Sequence, residues 1–143
     1  MANVHYFTQN YDVLYGGYAV SVGQSTLSFS KWADAKNYDI IVGLAAGTNV
    51  ASGSVVTMKA YQASTSTGSG SKTVTGATWT YTAGAASTYI IACQVRGQDL
   101  DVANGFEYVS FVVTTGNGSG VETGTGIVLG GRARYKQATV PAM

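Results

Sequence analysis

Residues 88–115, TYIIACQVRGQDLDVANGFEYVSFVVTT, form the longest well-patterned stretch of the chain. Both ends of this stretch are rich in β-branched and aromatic residues, which suit a pleated and mostly buried surface. The pattern predicts one strand over residues 88–96 and a second over residues 106–114, joined as a hairpin by one structured loop. Because apolar residues run almost continuously through both strands, we expect both faces of each strand to be covered, as in the middle of a sandwich.

The loop between these strands has the sequence GQDLDVANG. Its residues indicate a structural role rather than an active site. Its glycines can take positive φ, and Asp99 and Asp101 can hydrogen-bond to nearby backbone groups. We expect Leu100 and Val102 to pin the loop to the core. A partial calcium site on the two aspartates is the alternative, but Ala103 stands where an EF-hand-like loop needs its third ligand. The hydrogen-bonded turn is the preferred interpretation.

The length and composition indicate one domain whose surface carries unusually few charges. The chain has 143 residues, of which 45% are hydrophobic and only 10% are charged, against about 25% charged in typical soluble domains. Such a surface is typical of a protein that lies against other subunits, although a Thr-rich β-protein would have a similar composition. The net charge of +1 provides no electrostatic footprint for nucleic acid or an anionic membrane.

Targeting signals are not evident either. No cationic segment followed by an apolar run opens the sequence, and no stretch approaches the roughly 18 apolar residues of a membrane span. We therefore expect synthesis in the cytosol, and a soluble product until it is built into an assembly.

The first 18 residues differ from the rest of the chain in the spacing of their aromatic and apolar residues. The residues at helical spacing are Phe7, Tyr11, Leu14, Tyr15 and Tyr18. Thr8 could cap a short helix and Gly16-Gly17 would end it. Two interpretations stay open: an aromatic arm that grips a neighbouring subunit, or a turn that closes one end of the chain's own domain.

The remaining chain predicts many short strands. They are expected near residues 19–22, 25–30, 37–43, 54–62, 72–75 and 78–82, with a last one from Ile127. Gly130-Gly131 would mark a bulge or bend in that last strand. Together with the two strands described first, they predict an all-β sandwich or jelly roll. The predicted division is an arm (1–18), a sandwich (19–136) and a tail (137–143).

Catalytic and metal-binding residues are scarce. The chain has one histidine, His5, and one cysteine, Cys93, which are too few ligands for an ordinary zinc site and a poor basis for a catalytic triad. Cys93 is expected to be a small core residue. The glycine-rich stretches lack the Gly-Lys-Ser/Thr ending of a phosphate-binding loop. We therefore predict no enzyme activity, no cofactor and no metal.

Aromatic residues raise a different hypothesis. Trp79 and Tyr81 alternate in a predicted strand and could share one exposed face, where they could stack on sugar rings. A carbohydrate-binding β-sandwich is therefore kept as an alternative function.

Several segments resemble small structural proteins of tailed bacteriophages. The segment GQDLDVANGFEYVSFVVT (97–114) is similar to their strand, acidic Leu-Asp turn and Gly-aromatic-x-Tyr-Val pattern. Upstream, AYQASTSTGSGSKTVTGATWTY (60–81) resembles their strand, Gly-containing loop, Lys and following strand. Downstream, ARYKQATVPA (133–142) lies where they have an Arg-Tyr pair. The resemblance covers roughly residues 25–136, and residues 1–18 match no segment of that family.

This resemblance implies a head decoration (cement) protein, made in the host cytoplasm and located on the outside of an icosahedral shell. Its implied partners are the major capsid protein and other copies of this chain, with a trimer favoured, and it has no catalytic residues to transfer. The candidate contact residues to the capsid or to other subunits are Phe7, Tyr11, Tyr15, Tyr18, Arg132, Arg134 and Lys136. A tail or fibre component is the competing structural interpretation.

Overall fold

A computed structural model describes residues 11–20, 26–29, 31–84, 88–115 and 123–133. Its strands are β1 (Tyr11–Val20), β2 (Thr26–Ser28), β3 (Ala33–Asp34), β4 (Tyr38–Thr48), β5 (Val55–Ala63), β6 (Lys72–Thr82), β7 (Thr88–Arg96), β8 (Tyr108–Thr115) and β9 (Thr123–Ala133). Two 3₁₀ turns, Gly97–Asp99 and Val102–Asn104, connect β7 to β8. The residues in these ranges form no α-helix.

The strands form two antiparallel sheets. Sheet I has the order β1-β9-β4-β7, and sheet II has the order β2-β8-β5-β6, with β3 also paired to β8. The pairs β1–β9, β2–β8, β4–β7 and β5–β6 are nested in sequence, as if one long hairpin had been wound around a core. This strand order is that of a jelly roll. The predicted fold class, an all-β sandwich or jelly roll, is confirmed.

The core lies between the sheets, and glycines in sheet I make room for aromatic rings. Phe111 and Met58 of sheet II are fully buried, and a Cβ added to Gly43 of β4 would come within 2.6 Å of Phe111 Cγ. A Cβ on Gly130 of β9 would lie 2.5 Å from Tyr38 Cδ1. These strand glycines therefore serve close packing between the layers rather than flexibility.

Residues 88–115 form two strands, as predicted, but these strands do not pair with each other as a hairpin. β7 pairs with β4 in sheet I, whereas β8 pairs with β2, β3 and β5 in sheet II. The loop therefore crosses from one sheet to the other. β8 is interior to its sheet and mostly buried, as predicted, but β7 ends sheet I in the described part of the chain. Its outward residue Ile90 is 80% exposed, so the expectation that both faces of β7 are covered is wrong.

The crossing loop is held by specific contacts. Leu100 is buried, as expected. Val102 is 53% exposed, so it does not anchor the loop to the core as expected. Asp99 Oδ2 accepts a hydrogen bond from the backbone N–H of Arg96 at 2.9 Å, and Gly105 takes the left-handed conformation at φ 79°. The loop geometry therefore favours glycine at residue 105.

The short N-terminal helix is wrong for residues 11–18, because these belong to β1, which pairs with β9. A bulge between Val13 and Tyr15 shifts the alternation of side chains along β1 by one residue. Because of this shift, the spacing of the aromatic residues in the strand resembles that of a helix. The bulge predicted at Gly130-Gly131 is wrong too, since β9 runs through both glycines in register with β4. The division into arm, sandwich and tail stays a prediction, with its first boundary inside β1.

Candidate functional site

The outward side of sheet I is apolar. On β4, the residues facing the core alternate with Ile40, Val42, Leu44 and Ala46, which are half-buried. Leu44 lies between Ala92 of β7 and Ile127 of β9, and Ala46 lies opposite Ile90 of β7, whereas Val42 and Ile40 have the polar partners Gln94 and Arg96 on β7. The "apolar face" is defined here as Ile40, Val42, Leu44 and Ala46 of β4, Ile90 and Ala92 of β7, and Ile127 of β9, with the buried Leu129 of β9 at its border.

A shallow depression of about 220 Å³ lies on this face, lined chiefly by Leu44, Ala46, Ile90, Thr125 and Ile127. Ile90 is the most exposed large hydrophobic side chain in the described ranges. A contiguous apolar patch of this kind typically marks an interaction site, in contrast to single scattered hydrophobic residues.

Polar residues border the apolar face. At one end Thr48 of β4 is paired with Thr88 of β7, and at the other Ile40 is paired with Arg96. An apolar centre with a polar border is the usual anatomy of a protein–protein interface. The sequence signal for this face was the unbroken run IIVGLAAG in β4, which is apolar on both sides of the strand.

The predicted contact residues fall next to this face in sheet order. β1 pairs with β9, so that Tyr11 is opposite Gly131, Tyr15 opposite Val128 and Tyr18 opposite Thr125. The aromatic N-terminal stretch and the start of the basic C-terminal stretch are thereby brought together. For these tyrosines and for Arg132 of β9 only the backbone is described; Phe7, Arg134 and Lys136 lie outside the described residues.

The predicted sugar-stacking residues lie on the other sheet. Trp79 is paired with Met58, and Tyr81 with Val56, so both aromatic residues lie on the core-facing side of β6. They are nevertheless 38% and 40% exposed, because β6 is the last strand of sheet II among the described residues. Their role in sugar binding stays a prediction.

Trp79 lines an open groove between the edges of the two sheets, and Tyr81 does not. This "edge groove" has a volume of about 250 Å³ and is lined by Thr75, Gly76, Ala77 and Trp79 of β6, Gln94 and Arg96 of β7, and Asp99. The arrangement combines an indole face with an amide, a guanidinium and a carboxylate. The polar part of this set was not anticipated, because it comes from a strand of the opposite sheet.

The other carboxylates near the crossing loop are committed to structural contacts. The Lys72 ammonium lies 2.5 Å from Asp101 Oδ2, and Asn104 Nδ2 donates to the same carboxylate at 2.8 and 3.0 Å. These bonds, the one from Lys72 first, lower the pKa of Asp101. The hydrogen-bonded turn preferred on sequence grounds is what the structure contains.

A second ion pair joins the short β3–β4 turn to the segment before β8. Lys36 Nζ lies 2.5 Å from Glu107 Oε2, and this hydrogen bond raises the pKa of Lys36. The described residues contain no group of three or more His, Cys, Asp or Glu arranged to hold a metal ion.

Cys93 is a core residue, as predicted. It is 1% exposed, and its thiol points at the carbonyl oxygen of Ala77, 3.8 Å away. Burial raises the pKa of the Cys93 thiol to about 12. The reactive thiolate form is therefore scarce at neutral pH.

Comparisons with known proteins identify no family. No family model matches the chain, and no curated protein matches it significantly. In the described part of the chain, no helix has the length and hydropathy needed to cross a membrane.

Some solved viral structures share part of the geometry. A chain from infectious bursal disease virus (Gx strain) is 13% identical, with a TM-score of 0.48 over 87% of this chain and 33% of its own length. A chain from empty top-component particles of cowpea mosaic virus is 8% identical, with a TM-score of 0.38 over 74% of this chain and 64% of its own. Similarities this weak carry no argument about function. The class of protein, a jelly-roll β-sandwich, rests on the strand order.

Proposed function

We propose that this protein is a structural component of a tailed-bacteriophage virion that binds the outer surface of an icosahedral shell and bridges neighbouring capsomers. The resemblance over residues 25–136 suggests the role, and the jelly roll is a fold used in viral capsid domains. Because that fold also occurs in lectins and other proteins, it does not decide function alone. The observation that carries the proposal is the apolar face.

The apolar face favours assembly for a physical reason. Ile90 and its neighbours leave hydrocarbon in water along the outside of sheet I, and each Å² removed from water contributes about 25 cal/mol. In a chain with only 10% charged residues, little electrostatic repulsion opposes association. A surface of this composition fits a protein that works in a permanent assembly.

The bridging role needs no large affinity per contact. A protein that binds the assembled shell and not its separated parts stabilises the shell by mass action. Many copies around a closed shell add avidity to modest individual contacts. In this proposal the partner is the major capsid protein, and the chain itself forms a trimer on the capsid exterior.

The contact surface in this proposal extends from the apolar face towards β1. It includes Tyr11 and Tyr18, which lie opposite Gly131 and Thr125 of β9, together with Arg132. Tyr15 lies opposite the buried core residue Val128 and is the weakest of the proposed contacts. Phe7, which precedes β1 in the sequence, and Arg134 and Lys136, which follow β9, are included in the proposal as further contact residues. The proposal includes no catalytic residue and no cofactor.

The first test is the copy number of the chain in purified virions, measured by quantitative mass spectrometry. A ratio between about one-third and one per major capsid subunit is expected for a shell-coating protein at symmetry-related positions. A ratio of a few per cent would favour the tail or fibre alternative. Absence from virions would refute the proposal.

The second test places a charge in the apolar face. Ile90→Lys should leave thermal unfolding unchanged, since this side chain is 80% exposed, but should prevent binding to shells that lack the protein. Val102→Lys is the matched control, because Val102 is also exposed, at 53%, and lies outside the face. Normal shell binding by Ile90→Lys, or equal loss with the control, would show that the face is not the contact.

A further inference from the structure

We propose that the edge groove is a binding site for a neutral hexopyranose, with Trp79 as the stacking platform. This inference is independent of the proposed virion role, and its failure would leave that role standing. It concerns a different part of the molecule, the gap between β6 of sheet II and β7 of sheet I.

The first argument is the uncovered indole. A tryptophan beside a sandwich core is usually covered by its neighbours, because its ring buries a large apolar area. Trp79 is 38% exposed and lines the groove instead. Gly76 beside it has φ 77°, and a Cβ added there would have no atom within 4 Å. The left-handed φ favours glycine at residue 76, so this part of the groove lining consists of backbone only.

The second argument is the set of polar groups around the ring. Gln94 supplies an amide that both donates and accepts, Arg96 supplies donors, and Asp99 supplies acceptors. The Asp99 carboxylate is held in place by the backbone N–H of Arg96, at 2.9 Å. A pyranose has one apolar C–H face and a ring of hydroxyls that donate and accept, so it matches both halves of this lining.

The third argument is charge. The groove contains one cation, Arg96, and one anion, Asp99, so their charges cancel. A phosphate or carboxylate ligand would meet the Asp99 carboxylate, and a cationic ligand would meet the Arg96 guanidinium. A neutral ligand with paired hydroxyls can bond to both groups, since planar guanidinium and carboxylate groups each bind two adjacent polar atoms.

The size and openness of the groove set the expected affinity. At about 250 Å³ it is smaller than the pockets of roughly 300–1,000 Å³ that enclose drug-sized ligands. One sugar ring is the expected occupant, with a Kd on the order of 1 mM because an open groove buries little of the ligand. Multiple copies on one particle would raise the effective affinity for a glycan-coated surface.

The experiment is a titration of the full chain with the methyl glycosides of glucose, galactose and mannose, followed by NMR. The indole N–H signal of Trp79 should shift and saturate with at least one of them, at concentrations up to roughly 50 mM. Trp32, which does not line the groove, serves as the internal reference. No saturable shift with any of the three sugars would overturn the proposal.

Variants locate the site. Trp79→Ala and Gln94→Ala should each weaken binding at least about tenfold; Gln94 is exposed, so its variant should fold even if the tryptophan variant does not. Tyr81→Ala is the matched control, an equally exposed aromatic residue on the same strand that lies outside the groove. Loss of binding in Tyr81→Ala, or retention in Gln94→Ala, would overturn the assignment to this groove.

Discussion

Substituting Gly43 by alanine tests whether the close contact between the sheets holds this fold together. A Cβ at this residue of β4 would lie 2.6 Å from Phe111 Cγ and 2.7 Å from Met58 Cε. Carbon atoms in contact prefer about 3.5–4.0 Å, so the methyl group is roughly 1 Å too close to both. Phe111 and Met58 are fully buried, and a packed core offers little room for them to withdraw.

The expected magnitude follows from these contacts. Overpacking of a core costs about 1–3 kcal/mol, and two fully buried neighbours, one a rigid ring, place Gly43→Ala near the upper end. Replacing glycine returns about 0.5 kcal/mol through the lower entropy of the unfolded chain, which leaves a net loss of about 2.5 kcal/mol. For a chain of 143 residues, that lowers the Tm by about 8 °C.

The measurement is thermal and urea unfolding followed by circular dichroism. Gly84→Ala is the matched control, because a Cβ there has no atom within 4 Å and its Tm should stay the same or rise slightly. Adding Phe111→Leu to Gly43→Ala should cost less than the sum of the single changes, since a smaller side chain makes room for the methyl group. A Tm for Gly43→Ala within about 2 °C of the wild type would refute the packing argument.

Two further predictions concern titratable groups. Contact with Lys72 and Asn104 lowers the pKa of the Asp101 carboxyl in the folded protein. The ionised carboxylate therefore stabilises the fold at pH values above its pKa in the unfolded chain, about 3.9, and this stabilisation is lost as the pH falls through the lower pKa of the folded state. Asp101→Asn should therefore flatten the acid limb of a Tm-against-pH curve and leave its alkaline limb alone; an unchanged acid limb would contradict this. Cys93, with its thiol pKa raised to about 12, should react with iodoacetamide at pH 8 more than about 100-fold more slowly in the native protein than in urea; comparable rates would mean that the core opens readily.

Local patterns were sufficient to predict most strands. In β5, the alternation of Val56, Met58 and Ala60 with exposed or half-exposed residues is seen as expected. β7 spans the predicted residues 88–96. The gap predicted between residues 75 and 78 coincides with the irregular pairing of β6 and with the positive φ of Gly76. These features depend on the two-residue period of a strand and on turn residues, both of which are local.

The candidate sites were only partly predictable. Trp79 and Tyr81 share one side of β6, but it is the core-facing side rather than the exposed face that was expected, and Gln94, Arg96 and Asp99 could not be assigned to the groove that Trp79 lines. They are brought to Trp79 because the edges of sheets I and II meet there. The apolar face has the same origin, since only the β4–β7 and β4–β9 pairings collect its residues on one surface.

The amino-acid sequence alone was enough to establish an all-β domain, most of its strands, an acidic loop between β7 and β8 and the core position of Cys93. Tertiary structure decided which strands became partners. It separated β7 from β8, although they follow one another in the chain, and joined β1 to β9 from opposite ends of it. The physical reason is that alternation specifies which face of a strand is buried, whereas the choice of partner depends on backbone hydrogen bonds that any strand can offer and on long-range packing between layers.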